Sequence, residues 1–341
     1  MPDKRKSSRV TLGDVAKAAG VSPITVSRAL RNPDMVSAEL RERVMSFVEQ
    51  MGYVPDIAAQ ALASRRSQLI AVLVPAMTNY VFSEVMNGIE ARVRPTDFRL
   101  LYANSHFDPC EEARHLKLFL GQRPIGVIIA GVDGPQDNSA LLSRMGCPVV
   151  QIQEIRETAL DMAIGFSHFD AAAAATHHLV ECGYRRIALL GGNLGVRGER
   201  RLLGYRSELE RHGIFDPALV RGSAVFEGVG AGAELFRDLL ERVPDVDAVL
   251  CQTDDLALGV LFECQRQGRR VPDDIGVCGF NDLEFAQGCV PPLTTVQVPR
   301  YDMGYRAADM VIAARSGARP ESRVDVGFQI MVRGSTKKRP T

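Results

Sequence analysis

The sequence predicts an N-terminal all-α module built around a helix-turn-helix, followed by an α/β body of two doubly wound parallel-sheet subdomains. Three observations support this fold class. Residues up to position 55 carry only helical apolar periodicity. The rest of the chain alternates short β-branched runs with helical patterns, which is typical of parallel sheets with helices on both faces. The length of 341 residues fits two or three domains at roughly 150 residues each.

The first helix is predicted from its caps. Thr11 can accept a hydrogen bond as the N-cap, and Asp14, three residues on, can return it to form a capping box. Gly20 permits the positive φ that ends a helix. Between the caps, one apolar stripe runs at helical spacing: Leu12, Val15, Ala16 and Ala19.

A second and a third helix follow at short intervals. Ser22 can cap the second helix, Pro23 suits its first position, and Asn32-Pro33 ends it. Ser37 can cap a third helix that ends at Gly52. The residues expected to face inward on these two helices are Val26, Ala29, Leu30, Leu40, Val44, Phe47 and Met51.

Polar residues on the second helix separate two interpretations of this module. A plain three-helix bundle explains the apolar stripes but not the cluster of Ser22, Thr25, Ser27 and Arg28. A helix-turn-helix presents such side chains to the major groove of DNA. The charge distribution agrees, because residues 1–66 hold 11 Lys and Arg against 7 Asp and Glu, whereas the remaining 275 hold 30 against 34. We therefore predict that this module binds DNA.

At this point the sequence resembles a known family. The motif VTLGDVAKAAGVSPITVSR, from Val10 to Arg28, looks like the headpiece of the lac-repressor and galactose-repressor family. Gly52-Tyr-Val-Pro55, followed by Ala59 and Leu62, is similar to that family's junction to a hinge helix. The resemblance continues through the chain to Arg333-Gly-Ser-Thr336.

The resemblance implies a domain plan. It places the helix-turn-helix domain at 1–55, the hinge helix at 56–66 and an effector-binding and dimerisation core at 67–341. The family's core is built like periplasmic sugar-binding proteins, with ligand in the cleft at the carboxyl ends of the strands. Its N-subdomain is expected at about 68–166 and 299–326, and its C-subdomain at about 167–297 and 328–336.

The family pattern also implies the DNA contacts. Hydrogen bonds to phosphates or bases are implied for Thr11, Ser22, Thr25 and Ser27. Base-edge contacts are implied for Pro23, Ile24 and Arg28, and the planar fork of Arg28 suits guanine. Leu62 matches an apolar wedge that kinks DNA from the minor groove. Asp56 stands where the family usually has Asn, so no phosphate contact is assigned to it.

The effector contacts implied by the resemblance are Gln153, Arg201, Thr253, Asn281 and Arg300. Arg201 opens an R-x-x-G motif whose Arg reaches the ligand. Asn281 lies in Gly279-Phe-Asn-Asp282 and replaces an Asp that faces the ligand elsewhere in the family. Gln153 stands near where another such Asp is common, and Thr253 replaces a usual Asn.

This set of residues favours an acidic ligand. Carboxylates suit the hydroxyl groups of neutral sugars, whereas Arg and neutral acceptors suit an anion. We therefore expect a polyhydroxylated acid, while Gln and Asn as binders of a neutral sugar remain the alternative. Residues 163–170, 253–257 and 262–268 are similar to gluconate-operon repressors, which implies gluconate as effector. A different sugar or a phosphorylated sugar acid is the other possibility.

Catalytic and cofactor motifs are absent from the sequence. Gly191-Gly-Asn-Leu-Gly195 lacks the spacing of a phosphate-binding loop and is interpreted as a turn at the cleft. His177 and His178 would point about 100° apart on a helix, so they cannot easily share a metal ion. Asp254-Asp255 looks like a family motif in which the first Asp caps a helix. We predict no catalytic residue, no cofactor, no metal and no enzyme activity.

Composition indicates where the protein works. Seven scattered Cys without a C-x-x-C pattern favour reduced thiols. No apolar run approaches the ~18–20 residues of a membrane helix, and the first nine residues do not read as a secretory signal. We expect a cytoplasmic repressor that binds pseudo-palindromic operator DNA. It is expected to be a homodimer, because residues 337–341 lack leucine heptads.

Two other classes of function are considered. A binding protein that delivers sugar to a transporter would share the body, but it does not explain the basic headpiece. A carbohydrate enzyme would need a nucleophile, a metal cluster or a phosphate loop, and the sequence shows none of them.

Overall fold

A computed structural model describes residues 10–54, 67–130, 136–155, 160–192, 195–223 and 228–336. The chain divides into two compact units, Met1–Ser67 and Gln68–Thr341. The predicted hinge helix at 56–66, which includes Leu62, lies outside the described residues, as does the tail at 337–341. The predicted fold class, a helix-turn-helix followed by two parallel-sheet subdomains, is confirmed.

The first unit contains three helices whose starts follow from their caps. They are α1 (Leu12–Ala19), α2 (Pro23–Arg31) and α3 (Ala38–Gln50). The Thr11 hydroxyl accepts from the Asp14 N–H at 3.2 Å, and the Asp14 carboxylate accepts from the Thr11 N–H at 2.9 Å. Ser22 and Ser37 cap α2 and α3, each accepting an N–H three residues on. Gly20 adopts a φ of 66° and ends α1 as predicted.

A small apolar core joins these three helices. Val15, Val26 and Val44 are fully buried, one from each helix. Burying a side chain of this size contributes about 1.5–3 kcal/mol. Ala19 and Ala29 are also buried, and their small side chains let α1 and α2 cross closely. The core therefore holds α2 with one face inward and the other face exposed.

The second unit begins with a parallel sheet. Its first elements in chain order are β1 (Leu69–Val74), α4 (Tyr80–Val93), β2 (Arg99–Asn104), α5 (Pro109–Gln122), β3 (Gly126–Ile129), α6 (Gln136–Ser143), β4 (Val149–Glu154) and β5 (Met162–Phe166). A second set of elements then builds another parallel sheet: α7 (His168–Glu181), β6 (Ile187–Gly192), α8 (Val196–Arg211), β7 (Val220–Ser223), α9 (Val229–Arg242), β8 (Ala248–Cys251), α10 (Asp254–Arg266) and β9 (Gly276–Cys278).

The remaining elements connect the two halves. They are α11 (Phe285–Gly288), β10 (Thr295–Gln297), α12 (Arg300–Arg315), β11 (Arg323–Asp325) and β12 (Gln329–Met331). Strand β11 returns to the first sheet, whose order is β11-β5-β4-β3-β1-β2. The second sheet has the order β7-β6-β8-β9, and β10 pairs with β12 in a short antiparallel ribbon. The chain therefore crosses between the halves several times.

Helices cover both faces of the first sheet, which explains its apolar strands. Along β1, Ile70, Val72 and Val74 enter one apolar cluster, while Ala71 and Leu73 enter another on the opposite face. Strands buried on both sides are typical of doubly wound sheets. In parallel sheets of this kind, ligands bind at the carboxyl ends of the strands.

None of the helices in the described part of the chain has the length and apolar character that crossing a membrane requires.

Glycines allow a close helix contact in the body, between α4 and α12. A Cβ added at Gly88 would collide with the backbone of Tyr301, and one at Gly304 would collide with the backbone of Val85. Only glycine permits this approach. The contact fixes the start of α12, where Arg300 lies.

Candidate functional site

The exposed face of α2 is the first candidate site. Ile24 is 64% exposed, although burying such a large apolar side chain would stabilise the fold. Arg28, one turn further along α2, is exposed as well. The Ser22 and Thr25 hydroxyls lie 2.9 Å apart at the start of the helix. This surface offers hydroxyl groups, one guanidinium and one apolar side chain, which is the chemistry that reads a major groove.

The structure brings most of the predicted DNA-contacting residues to this region. Pro23 is exposed on α2, and Thr25 and Ser27 are half-buried there. Thr11 lies at the start of α1, where its hydroxyl also donates to Asp14 at 2.6 Å. Leu62 lies outside the described residues, so its role stays a prediction.

The second candidate site is a cavity between the two sheets of the body. Its wall contains four of the five residues predicted to contact an effector. The lining residues are Asn79, Val81, Phe82, Phe107, Gln153, Arg197, Arg201, Thr253 and Asn281. Both halves of the body contribute, because Gln153 is the last residue but one of β4 and Arg201 lies on α8.

Arg201 is positioned by the packing of α8 against α7. A Cβ added at Gly204 would collide with the carbonyl of Phe169, so the glycine of the R-x-x-G motif lets the two helices approach closely. Arg201 Nε then donates to His168 Nδ1 at 3.2 Å, and Nη1 donates to the Gln252 carbonyl oxygen. The guanidinium lies 3.6 Å from the centre of the Phe280 ring. Arg201 is therefore held in place before any ligand binds.

His168 supports this arrangement as a neutral imidazole. Its side chain is fully buried at the start of α7. Burial, followed by the charges of Arg201 and Arg197, holds the pKa of His168 well below its usual value. An unprotonated Nδ1 can accept the hydrogen bond from Arg201, whereas an imidazolium could not. His168 was not predicted as part of the site, although it lies in the segment 163–170 that resembles gluconate-operon repressors.

Two predicted residues adopt strained backbone conformations at the cavity. Gln153 has a φ of 83° and Asn281 a φ of 117°. Positive φ values are costly for residues with side chains and concentrate at functional sites. Gln153 is only 3% exposed, and its Nε2 has no hydrogen-bond partner among the described residues. A buried amide donor at the wall of a cavity is suited to an oxygen of a ligand.

Thr253 lines the cavity and also begins α10. Its hydroxyl caps the helix by accepting from the Leu256 N–H at 3.3 Å. The prediction that Asp254 is the cap is therefore wrong. Asp254 is instead buried beneath the site, where it accepts from the Thr295 hydroxyl at 2.5 Å and the Leu283 N–H at 2.7 Å. Burial raises the pKa of Asp254 to about 6.

Arg300 does not line the cavity, contrary to the expectation that it faces the cleft. It lies at the first position of α12 and donates to the carbonyl oxygens of Asn281 and Asp282. Nη2 also pairs with Glu84 at 3.1 Å. The close contact of α4 and α12 directs Arg300 toward this loop. It therefore supports the strained Asn281 backbone from behind.

Arg197 is a cavity residue that the sequence analysis missed. Its guanidinium, from α8, lies 5.6 Å from the Phe82 ring centre and 5.5 Å from that of Phe107. Both rings belong to the other half of the body. A signal was available, because Arg197 precedes Arg201 by four residues, and residues four apart share one face of a helix. Phe107 lies in a loop and carries no comparable signal.

These rings form part of the cavity wall. The space within it is about 30 Å³, enough for one or two water molecules at roughly 15 Å³ each. A neighbouring cavity of about 540 Å³ shares Asn79 and Phe107 with it and includes Asp255. Movement of the Phe107 side chain would join the two spaces. A ligand larger than two water molecules therefore needs side chains of the cavity wall to move.

Two other sequence features have structural roles. Gly191 and Gly192 belong to β6, so the predicted turn does not begin there. A Cβ at Gly191 would collide with the Gln252 side chain. His178 packs against the C-terminal segment, with Nε2 2.8 Å from the Thr336 hydroxyl.

The headpiece and the C-terminal part of the body each match a family profile. Residues 11–56 match the profile described as bacterial regulatory proteins, lacI family. Residues 176–336 match the profile described as a periplasmic binding protein-like domain.

Two relatives match nearly the whole chain. The chain is 38% identical to the HTH-type transcriptional regulator GntR of Pseudomonas aeruginosa, over 97% of each chain. It is 32% identical to the HTH-type transcriptional repressor CytR of Escherichia coli, over 100% of each.

Two solved structures are similar to this chain over 96% of its length. A LacI-family regulator from Silicibacter pomeroyi is 34% identical with a TM-score of 0.90, covering 96% of this chain and 100% of its own. The lac repressor dimer bound to operator is 28% identical with a TM-score of 0.85, covering 96% and 99%.

A groove-reading helix and a ligand cleft in one chain define a ligand-responsive DNA-binding regulator. Full-length identity and matching architecture then place the chain more closely. It belongs to the lacI family of bacterial regulatory proteins, whose members regulate transcription and are not enzymes.

Proposed function

We propose that this chain is a cytoplasmic homodimeric repressor that leaves pseudo-palindromic operator DNA when its cleft binds a sugar acid, with gluconate as the effector. The genes it controls are then those for gluconate uptake and catabolism. The observation that carries the proposal is the charge of the cavity wall. Arg197 and Arg201 line it, and none of its described lining residues is a carboxylate.

Two guanidinium groups on the wall of one cavity favour an anion. Arg presents a planar fork that matches the geometry of a carboxylate. Since Arg201 is only 5% exposed and Arg197 7%, their charges are weakly screened by solvent. The body as a whole is mildly acidic, so this local charge belongs to the cavity itself.

The remaining polar residues suit a hydroxylated chain. Gln153, Asn281, Thr253 and Asn79 place amide and hydroxyl groups on the same wall. Amides both donate and accept, which matches sugar hydroxyl groups. A linear sugar acid offers one carboxylate and several hydroxyl groups, and it therefore uses both parts of the wall.

The comparisons support the same proposal. Similarity to a regulator named GntR extends over the full chain, and three segments resemble gluconate-operon repressors. The lac repressor crystallised as a dimer on its operator, and the same architecture supports a dimer here. Two headpieces related by twofold symmetry would contact two half-sites of a pseudo-palindrome.

A neutral sugar is the second candidate, because amides alone can hold hydroxyl groups. Calorimetry on the full chain distinguishes it, with gluconate, 6-phosphogluconate and glucose as matched ligands. We expect gluconate to bind at one site per chain and glucose, which lacks the carboxylate, to bind at least tenfold more weakly. Equal binding of glucose and gluconate would contradict the assignment of an acid. Tighter binding of 6-phosphogluconate would identify the phosphorylated acid as the effector.

A further inference from the structure

Two histidines and a glutamate meet on the outer surface of the second subdomain, away from the cleft. His177 lies on α7, Glu208 on α8, and His212 directly after α8. His177 Nδ1 is 2.8 Å from Glu208 Oε1, and His212 Nε2 is 3.1 Å from the same oxygen. The three ligand-type atoms all lie within 4.8 Å of one another.

The group is separate from the effector cavity. Glu208 follows Arg201 by seven residues on α8, which is about 10 Å along a helix at ~1.5 Å per residue. Arg201 lies at the cavity, so the cluster lies toward the opposite end of that helix. In the part of the chain that the structure describes, His177, Glu208 and His212 form the one group of His, Cys, Asp and Glu side chains whose ligand atoms could share a metal ion.

Two imidazoles and one carboxylate form a ligand set that suits Zn²⁺. Catalytic zinc sites use such sets with a fourth position left for water. Ligands at ~2.05 Å from a tetrahedral ion lie about 3.3 Å apart. The two distances to Glu208 Oε1, 2.8 and 3.1 Å, must therefore grow by at most about 0.5 Å. The two histidine nitrogens, which lie within 4.8 Å of each other, must reach the same separation. Glu208 and His212 are four residues apart and share one helix face.

Surrounding groups prepare two of these ligands. His177 Nε2 lies 3.3 Å from Glu181 Oε1, so that carboxylate can accept its proton and leave Nδ1 as a metal donor. Glu208 is nearly buried. Its carboxylate contacts His177 and His212 through Oε1 and Arg211 through Oε2.

Arg211 would compete with a metal ion for the Glu208 carboxylate. Its Nη1 lies 2.6 Å from Glu208 Oε2, so a cation at the cluster meets a nearby positive charge. The Arg211 side chain is 69% exposed and is free to turn toward solvent. A metal ion would use Oε1, which faces both histidines, and would displace or weaken the Arg211 pair.

We propose that His177, Glu208 and His212 bind a borderline divalent transition metal, Zn²⁺ above all, at a site that joins the C-terminal ends of α7 and α8. The ion has three protein ligands and one open position. His177 and His178 do not share it, in agreement with their directions on α7, since the second histidine of the site comes from the end of α8.

Calorimetry with ZnCl₂ on the metal-free full chain tests the site. We expect one Zn²⁺ per chain, with binding lost in His177→Ala and in His212→Ala. His115→Ala is the matched control, because His115 also lies near a glutamate four residues away, 3.9 Å from Glu111. That variant should bind Zn²⁺ as the wild type does.

Two further variants test the surroundings. Glu181→Gln should weaken binding about 10- to 100-fold, the usual effect of removing a carboxylate behind a ligating histidine. Arg211→Gln should tighten binding. Co²⁺ in place of Zn²⁺ should give the intense visible absorption of a four-coordinate ion, and this absorption should disappear in His177→Ala.

Several results would overturn the proposal. Zn²⁺ binding only at concentrations near ~0.1 mM or above would show adventitious surface contact rather than a built site. Binding that is unchanged in His177→Ala and His212→Ala would place the ion elsewhere on the chain. The histidines are half-exposed, and thermal melts without metal should confirm that their alanine variants fold.

Discussion

Arg201→Ala is expected to abolish the response to effector while leaving the headpiece intact. Arg201 stacks on Phe280, donates to His168 and lines the cavity. The alanine variant loses the cation that would meet the carboxylate of the ligand. On the account given above, this leaves a repressor that stays on its operator in the presence of gluconate.

The magnitude follows from the environment of Arg201. Hydrogen bonds to charged groups contribute about 1.5–3 kcal/mol, and at ~1.4 kcal/mol per tenfold this is a 10- to 150-fold loss of gluconate affinity. Because Arg201 is only 5% exposed, the upper part of that range is expected. Arg201→Lys keeps the charge without the planar fork, so it should show an intermediate loss.

Isothermal titration with gluconate measures this loss, and Arg206→Ala is the matched control. Arg206 also lies on α8, but it pairs with Glu210 on the surface, where its side chain is 54% exposed. Its removal should change gluconate affinity by less than about twofold, since exposed ion pairs contribute ~0–1 kcal/mol and this pair is remote from the cavity.

Normal gluconate binding by a folded Arg201→Ala variant would refute the assignment of the carboxylate site. A variant that fails to melt cooperatively would not decide the question by itself. Arg201→Lys then provides the test, because its side chain keeps the volume and charge that the buried position requires.

Three further predictions concern the headpiece, the hinge and the helix packing. Arg28→Ala should cost ~1–3 kcal/mol of specific operator affinity without lowering the melting temperature, and anisotropy showing unchanged specific affinity at fixed salt would contradict the guanine contact. Leu62→Ala should weaken specific binding more than non-specific binding, since a wedge gains energy only on bent DNA; equal weakening of both in the same titration would rule out a wedge. Gly204→Ala should destabilise the body by about 1–3 kcal/mol through overpacking against α7. Gly121 has open space around it, so Gly121→Ala should change the free energy of unfolding by about 1 kcal/mol or less. Similar denaturation midpoints for the two variants would show that Gly204 is not required for the close packing of α7 and α8.

The headpiece could be predicted from sequence almost residue by residue. Its caps are local, so Thr11, Asp14 and Ser22 act through residues within three positions of themselves. The core strands of the body, such as β1 and β8, were equally visible as apolar runs. Local chemistry determines these elements.

Elements that depend on tertiary contacts were harder to predict. Strand β7, Val220–Ser223, lies at a sheet edge and has only a weak β pattern. The helix α12 was not identified, because its glycine and arginine positions make sense only against α4. Its contact with that helix depends on residues more than 200 positions apart in the chain.

The cavity residues also divide into those that sequence motifs predicted and those that only tertiary contacts reveal. Arg201 and Asn281 follow from family motifs, and Gln153 follows from its place near a position where the family commonly has an Asp that faces the ligand. Phe82, Phe107 and His168 required the structure, since each enters the site through packing between distant segments. Arg300 occupied an informative sequence position, yet its side chain turns toward the Asn281 loop and supports the site from outside.

The central claim is that a sugar acid in the cleft lowers affinity for DNA, and one measurement tests it directly. Fluorescence anisotropy of a labelled operator duplex, selected from random sequences by the full chain, is recorded with and without saturating gluconate. Coupling between two ligands is reciprocal, so gluconate weakens operator binding by the same factor by which the operator weakens gluconate binding. The usual coupling free energy of ~1–3 kcal/mol predicts a weakening of about 5- to 150-fold. Glucose at the same concentration should leave operator binding unchanged. Full operator affinity in saturating gluconate, by a protein that calorimetry shows to bind it, would contradict the account.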